Sequence, residues 1–368
     1  MAKSMFGVFL SFLLALFSAP LVHAQQSSDA VARPKSVIKK NVKRKTVKRH
    51  RAARSVNASL DAREALVKHV VVAHGKRRVT YQRVAFAPSI PVVPPVLSAG
   101  DLAGLNLTHD SLALKSSVAL VMDQASSQVL FEKNSNVALP IASITKLMTA
   151  LIVVEAKQDM EEILEVTPAD VDREKNSRSR LRVGARLSRS NMLHIALMSS
   201  ENRAASALGR NYPGGMAAAV AAMNAKAKAL GMLNTHYVEP TGLSSLNVAS
   251  AHDLAKLVVA AHEHPILCQY STDSKYEVEP GGRALQYQNS NHLVANPEWD
   301  IGLQKTGYIA EAGRCLVMQA KIEGRAVVMI FLDSKGKQSR IADAGRIRKW
   351  LEAIKPPTVI SARAQQQS

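Results

Sequence analysis

Between about residue 105 and residue 355 the chain carries strand-like runs at both ends and a long helical stretch between them, and few folds accommodate that order. Ser117-Val-Ala-Leu-Val-Met122 and Gln128-Val-Leu-Phe-Glu132 flank the polar segment Asp123–Ser127, a hairpin pattern. Pro140 opens a strongly helical segment in which Ile144, Leu147, Met148, Leu151 and Ile152 recur at three-and-four spacing, which predicts a buried helix. From about 155 to 265 the pattern stays helical. Ser190 is expected to cap Asn191–Ser199, followed by Asn202–Tyr212, the Ala-rich run Gly215–Leu230 stopped by Gly231, and His252–Glu263 capped by Ser250. Strands return at Gly302–Tyr308, Arg314–Ile322 and Arg325–Leu332, and Arg340–Ile354 closes the domain as an amphipathic helix. One sheet can unite these runs only if it is assembled from distant segments. The expectation is therefore an α/β (α+β) domain over residues 99–355, with a central antiparallel sheet built from both chain ends and a helical lobe inserted. With 47% apolar residues in a 368-residue chain, a sizeable core is available to it.

The segments outside that domain differ in kind. Of a formal net charge of +19, residues 33–83 hold 17 Lys or Arg against Asp61 and Glu64, a net of +15. The high charge thus belongs to a leader and not to the domain, which excludes a basic core built for specific nucleic-acid binding. Residues 25–98 read as a basic leader, mostly disordered because like charges repel and Pro88, Pro91, Pro94 and Pro95 interrupt regular structure. Val67–Val72 and Val79–Ala85 stand out in it as a short ordered patch. Lys3, the apolar run Met5–Val22 and the small residues of Val22-His23-Ala24 form a secretory signal peptide over residues 1–24, so a periplasmic protein is expected. Residues 356–368 are a polar tail.

Two cysteines, Cys268 and Cys315, do not make a disulfide framework. Cys315 lies in an apolar stretch where a free thiol behaves as a small hydrophobe. His262-Glu-His264 places two histidines two apart on a helix, facing different ways, with no third ligand at zinc-site spacing, so no metal and no cofactor is expected.

Three short motifs carry chemistry. A serine with a lysine three residues on occurs at Ser36, Ser143 and Ser334, but only Ser143 and Lys146 fall at the start of the buried helix. There the spacing puts both side chains on one face, and desolvation allows a neutral lysine amine to take the serine proton. Ser-x-Asn likewise occurs three times, and only Ser200-Glu-Asn202 stands at a junction between two helices. Lys305-Thr306-Gly307 occurs once, on an expected strand. A cation and a hydroxyl on a strand edge suit an extended peptide ending in a carboxylate, and Gly307 permits close backbone approach.

The ordered set Ser143…Lys146, Ser200…Asn202, Lys305-Thr306-Gly307 resembles the signature of the penicillin-recognising serine enzymes. The phrases Pro140–Ala150, Met198–Ala205, Glu239-Pro-Thr-Gly-Leu-Ser244 and Lys305–Tyr308 are similar to those of D-alanyl-D-alanine peptidases among the low-molecular-weight penicillin-binding proteins, endopeptidases above all, over roughly residues 105–355. The resemblance implies a β-lactamase/transpeptidase-like fold and an acyl-enzyme on Ser143 with Lys146 as general base. It further implies proton transfer to the leaving amine through Ser200, substrate binding by Asn202, Lys305, Thr306 and Gly307, and an oxyanion hole from the main-chain N–H groups of Ser143 and Tyr308. The implied substrate is cross-linked peptidoglycan, and β-lactam antibiotics are implied as inhibitors.

A carboxypeptidase is the alternative within the family, and a catalytically idle wall-binding or scaffold protein the alternative outside it. A class A β-lactamase fits poorly, because Glu239 sits in Glu-Pro-Thr-Gly-Leu and not in that group's Glu-x-x-Leu-Asn. Residues 33–83 suit an anionic wall or membrane surface.

Overall fold

The computed structural model describes residues 63–73, 75–86 and 96–354. The signal-peptide and tail segments lie outside the described residues. The chain divides into two compact units, residues 1–90 and 91–368.

In the first unit Arg63–Ala73 and Lys76–Phe86 pair antiparallel as a hairpin, with Val70 opposite Val79 and Lys68 opposite Tyr81. Val71, Val72 and Tyr81 on it are exposed, as are Lys68, Lys76, Arg77 and Arg78. Val67–Val72 and Val79–Ala85 lie on its two strands.

The second unit is built on a five-stranded sheet. Its strands are β1 (Ser116–Asp123), β2 (Val129–Lys133), β3 (Asp300–Ile309), β4 (Gly313–Ile322) and β5 (Arg325–Ser334), in the spatial order β3-β4-β5-β1-β2 and antiparallel throughout. β5 pairs with β1, so the two ends of the domain meet in the middle of the sheet. The run Val327–Leu332 is continuously apolar because both of its faces are covered. Val118, Leu120, Val317, Val328, Ile330 and Leu332 point into the helical lobe, and Ala119, Val121, Leu316, Met318, Met329 and Phe331 point the other way.

The lobe holds α1 (Thr145–Glu155), α2 (Arg189–Met198), α3 (Asn202–Arg210), α4 (Gly215–Ala229), α5 (Ala251–His262) and α6 (Pro265–Thr272). α7 (Ser339–Ala353) covers the opposite face with Ala344, Ile347 and Leu351. α1 lies within the core: Leu147, Met148, Leu151 and Ile152 are all buried. Full burial of one such side chain stabilises by about 2 kcal/mol.

Two local expectations are corrected. Pro140 does not open the helix. Leu139–Pro140 pairs with Val248–Ala249 as a short ladder, a 3-10 turn follows at Ala142–Ile144, and α1 begins at Thr145. The cap of α2 is Ser188, whose hydroxyl accepts the Asn191 N–H at 3.2 Å, because Ser190 Oγ is engaged with the Tyr270 hydroxyl at 2.6 Å. Ser250 caps α5 by accepting the Asp253 N–H at 3.2 Å.

The two ends of the domain are fastened by Asp343 of α7, fully buried. Its carboxylate accepts the N–H of Lys115 at 3.0 Å, the N–H of Ser116 at 2.8 Å and the Ser116 hydroxyl at 2.6 Å, and it pairs with Arg346 at 2.7 Å. Asp343→Ala leaves those donors without an acceptor beside β1, and unfolding free energy is expected to fall by about 3 kcal/mol in urea denaturation. A loss below about 0.5 kcal/mol would mean that water replaces the carboxylate.

Candidate active site

Ser143, the candidate nucleophile, is carried by the 3-10 turn between the short ladder and α1. Ala142 stands at φ 48° and Ser200, in the turn between α2 and α3, at φ 65°. Left-handed backbone disfavours residues with a Cβ, so both turns are held by their surroundings. Around Ser143 those surroundings are close. A Cβ on Gly242, at φ 80°, would lie 1.9 Å from the Ala142 carbonyl oxygen. A Cβ on Gly307 would lie 2.9 Å from the Ile141 carbonyl oxygen and 3.1 Å from the Ser143 nitrogen. Gly307 was expected to admit substrate backbone. What approaches it is the chain's own turn that carries Ser143.

Lys146 is 1% exposed, and its ammonium position is fully specified. Nζ lies 3.0 Å from Ser143 Oγ, 2.7 Å from Asn202 Oδ1 and 2.5 Å from the Thr241 carbonyl oxygen. Neither the carbonyl nor Oδ1 can donate, and Asn202 Nδ2 is committed to Ser177 Oγ at 2.8 Å. A neutral amine has two N–H bonds for those two acceptors, which leaves its lone pair for the Ser143 hydroxyl. Burial lowers the Lys146 pKa to about 8, against the opposing attraction of the Glu239 and Glu201 carboxylates.

Both carboxylates are spoken for. Glu239 accepts the N–H and hydroxyl of Thr241, each at 2.6 Å, the Gly242 N–H at 2.6 Å and Asn247 Nδ2 at 2.7 Å. It therefore builds the loop that presents the Thr241 carbonyl to Lys146. Thr149 of α1 secures the same loop through the Pro240 carbonyl at 2.7 Å. Glu201 accepts the Ser179 hydroxyl at 2.6 Å.

β3 forms the far wall of the cleft as the edge strand of the sheet. The Gln304 N–H turns away from β4 to Ser271 Oγ of α6, 3.3 Å away. By two-residue alternation the N–H groups of Thr306 and Tyr308 face the same free edge, past the point where α6 covers it. Thr306 Oγ1 is 2.7 Å from Ser290 Oγ. Lys305 is 0% exposed, its Nζ donating to the Thr306 carbonyl at 2.9 Å. Burial, with Lys146 and Arg340 nearby, pushes its pKa well down.

A cleft of about 530 Å³ is lined by Ser143, Ser200, Asn202, Thr306, Gly307 and Tyr308, among others. Five motif residues and Tyr308 thus meet in one cavity, while Lys146 and Lys305 stand behind its wall. The cation in the lining near Gly307 is Arg340 of α7, which the sequence motifs did not single out. Its Nη1 donates to the Gly307 carbonyl at 3.1 Å, while Nε is buried without a partner among the described residues. Its only sequence signal was a position on the amphipathic closing helix.

Elsewhere, His262 faces Gln124 and His264 faces Glu155, and among the described residues no group of three or more His, Cys, Asp or Glu gathers as metal ligands. Both cysteines are free, and Cys315 is buried opposite Gly307 in the β3–β4 ladder.

The contact between β3 and the turn that carries Ser143 is open to a direct check. Gly307→Ala must push the turn by several tenths of an ångström, and the penicillin adduct expected on the candidate nucleophile Ser143 should form about tenfold more slowly or worse. Gly345→Ala, where an added Cβ meets nothing within 4 Å, should change it by less than about twofold. Equal rates in the two variants would show that the turn tolerates displacement.

The sequence profile of the family described as D-alanyl-D-alanine carboxypeptidase matches residues 106–336. The chain is 49% identical over 252 residues to a D-alanyl-D-alanine endopeptidase of Pseudomonas aeruginosa, covering 68% of this chain and 80% of that one. It is 40% identical over 289 residues to the D-alanyl-D-alanine endopeptidase of Escherichia coli, covering 78% and 92%. Among solved structures, a D-alanyl-D-alanine carboxypeptidase from Mycobacterium tuberculosis superposes with a TM-score of 0.60 at 27% identity, covering 66% of this chain and 92% of that one. A variant of a Streptomyces DD-transpeptidase does so with a TM-score of 0.61 at 25% identity, covering 66% and 99%. The β-lactamase/transpeptidase-like fold is thereby established, and the chain belongs to the D-alanyl-D-alanine carboxypeptidase family of serine peptidases.

Proposed function

We propose that the protein is a serine-type D-alanyl-D-alanine endopeptidase that hydrolyses peptide cross-links of peptidoglycan through an acyl-enzyme on Ser143. The observation that carries this reading is the Lys146 amine, buried, 3.0 Å from Ser143 Oγ and held by two acceptors that cannot donate. Lys146 takes the hydroxyl proton as Ser143 Oγ bonds to the D-alanyl carbonyl carbon. The oxyanion forms against the N–H groups of Ser143 and Tyr308. Ser200 relays a proton to the departing amine, the C–N bond breaks, and water hydrolyses the ester to regenerate Ser143. Asn202 orients both Lys146 and the substrate amide.

Thr306 and the Arg340 guanidinium, both in the cleft lining, offer the binding groups for an acidic end, with Lys305 placed behind them. Glu239, saturated by N–H and hydroxyl donors, is unsuited to activate a deacylating water, which places β-lactamase activity below peptidase activity. β-Lactams would acylate Ser143 and inhibit. The motif at residues 1–24 supports export to the periplasm, and the cationic residues 33–83 support attachment to an anionic wall or membrane surface.

Digestion of purified cross-linked muropeptides tests this reading. The expected product is uncross-linked monomers. Release of only free D-alanine from uncross-linked pentapeptides would instead make the protein a carboxypeptidase, and no cleavage with no penicillin adduct would make it an idle scaffold.

The base has its own signature. Only the neutral amine can accept the proton, and the neutral fraction grows as pH rises toward the Lys146 pKa of about 8. The acylation rate by benzylpenicillin should therefore climb roughly tenfold per pH unit between 6 and 7.5 and level off above about 8.5. In Lys146→Arg, whose side chain stays charged, acylation should fall by roughly two orders of magnitude at every pH. A flat profile, or near-normal acylation by a folded arginine variant, would assign the base elsewhere.

A further inference from the structure

The cleft is bridged beyond Tyr308 by an ion pair that the reaction itself does not use. Lys175 Nζ and Glu311 Oε1 lie 2.5 Å apart, and both residues line the cavity that contains Ser143. They come from separate parts of the domain, Lys175 from the loop 171–182 and Glu311 from the turn after β3.

Each backbone is anchored. The Asp172 carboxylate accepts the N–H groups of Glu174 and Lys175, each at 2.9 Å, and of Ser177 at 2.6 Å, and Ser177 in turn receives Asn202. The Glu311 carbonyl receives the Ala99 N–H at 2.8 Å. The side chains are 28% and 36% exposed, so solvent reaches the pair and its contribution to stability is small. Glu311 Oε2 is buried with no partner among the described residues. The hydrogen bond from Lys175 holds the Glu311 carboxyl below its usual range, which keeps it charged at neutral pH.

The free edge of β3 sets the direction of a bound peptide. Thr306 and Arg340 lie on one side of the Tyr308 N–H, and Ile309, Ala310 and Glu311 follow on the other. With the acidic end at Thr306 and Arg340, the acyl portion runs past Ile309 toward Lys175 and Glu311.

We propose that Lys175 and Glu311 form a specificity subsite for the residue preceding the scissile D-alanine, selecting a side chain that ends in both an ammonium and a carboxylate. Such an amphoteric group can exchange partners with the pair, its carboxylate meeting Lys175 and its ammonium meeting Glu311. A side chain with one charge satisfies one member and leaves the other unpaired. The inference rests on the reading of the cleft as a D,D-peptidase site.

The test uses the full chain and soluble cross-linked peptides that differ only at that residue, carrying either lysine or diaminopimelate with its amino-acid head free. The wild type is expected to favour the diaminopimelate peptide by about tenfold in kcat/KM, mainly through KM. Lys175→Met and Glu311→Gln should each reduce that preference below about threefold at a nearly unchanged Tm. No preference in the wild type, or a preference kept by both variants, would overturn the subsite. A lowered Tm with the preference intact would also overturn it, leaving the pair as a clasp between loop and sheet. If the wild type forms no adduct with benzylpenicillin, the peptidase reading fails first and the subsite falls with it.

Discussion

A lysine amine removed from water, one turn from a serine hydroxyl, is the constraint around which this domain is organised. An ammonium at 1% exposure is unfavourable unless it is solvated by the protein, and complete solvation would make it useless as a base. The structure stands between those limits. Thr241 and Asn202 supply acceptors for two N–H bonds and the third direction points to Ser143, so the neutral amine is satisfied and correctly aimed. Each acceptor is fixed in turn, Thr241 by the Glu239 loop and Asn202 by Ser177. The helices of the lobe hold these loops, and the sheet holds β3 against the turn that carries Ser143. The fold thus lowers the cost of the neutral amine as well as fixing its geometry.

The sheet's construction explains why the site has three sources. Because β5 pairs with β1, the last part of the domain is set beside its first strand, and β3 becomes an edge facing the lobe inserted between them. The first motif lies at the entry to the lobe, the second at a helix junction inside it, and the third on that edge. Residues 57 and 105 positions apart in sequence then share one cavity. Asp343 secures this closure from the opposite face of the sheet.

Much of this was legible in the sequence for physical reasons that differ by residue. The core strands were readable because a strand buried on both faces is continuously apolar, as Val327–Leu332 is. Ser143 and Lys146 were readable because a lysine inside an apolar helical stripe is costly unless it serves a purpose. Pro140 misled, since its fixed φ suits a strand end as well as a helix start, and pairing with Val248 decided between them. Ser190 misled because caps are chosen by geometry, and a hydroxyl two residues earlier reached the Asn191 N–H. Arg340 was invisible as a site residue: its place in the cleft depends on α7 docking across the sheet, which no local pattern encodes. The same holds for Lys175 and Glu311, which meet only after the chain has folded over 136 residues.

The central claim is the state of one amine, and it can be observed without substrate. In protein labelled with carbon-13 at the lysine ε position, the Lys146 resonance, assigned by its absence from Lys146→Arg, should titrate with a midpoint near 8, well below the roughly 10.4 of a lysine in a model peptide. A Lys146 midpoint at or above that model-peptide value would contradict the account, because the amine would then be charged whenever the serine must lose its proton.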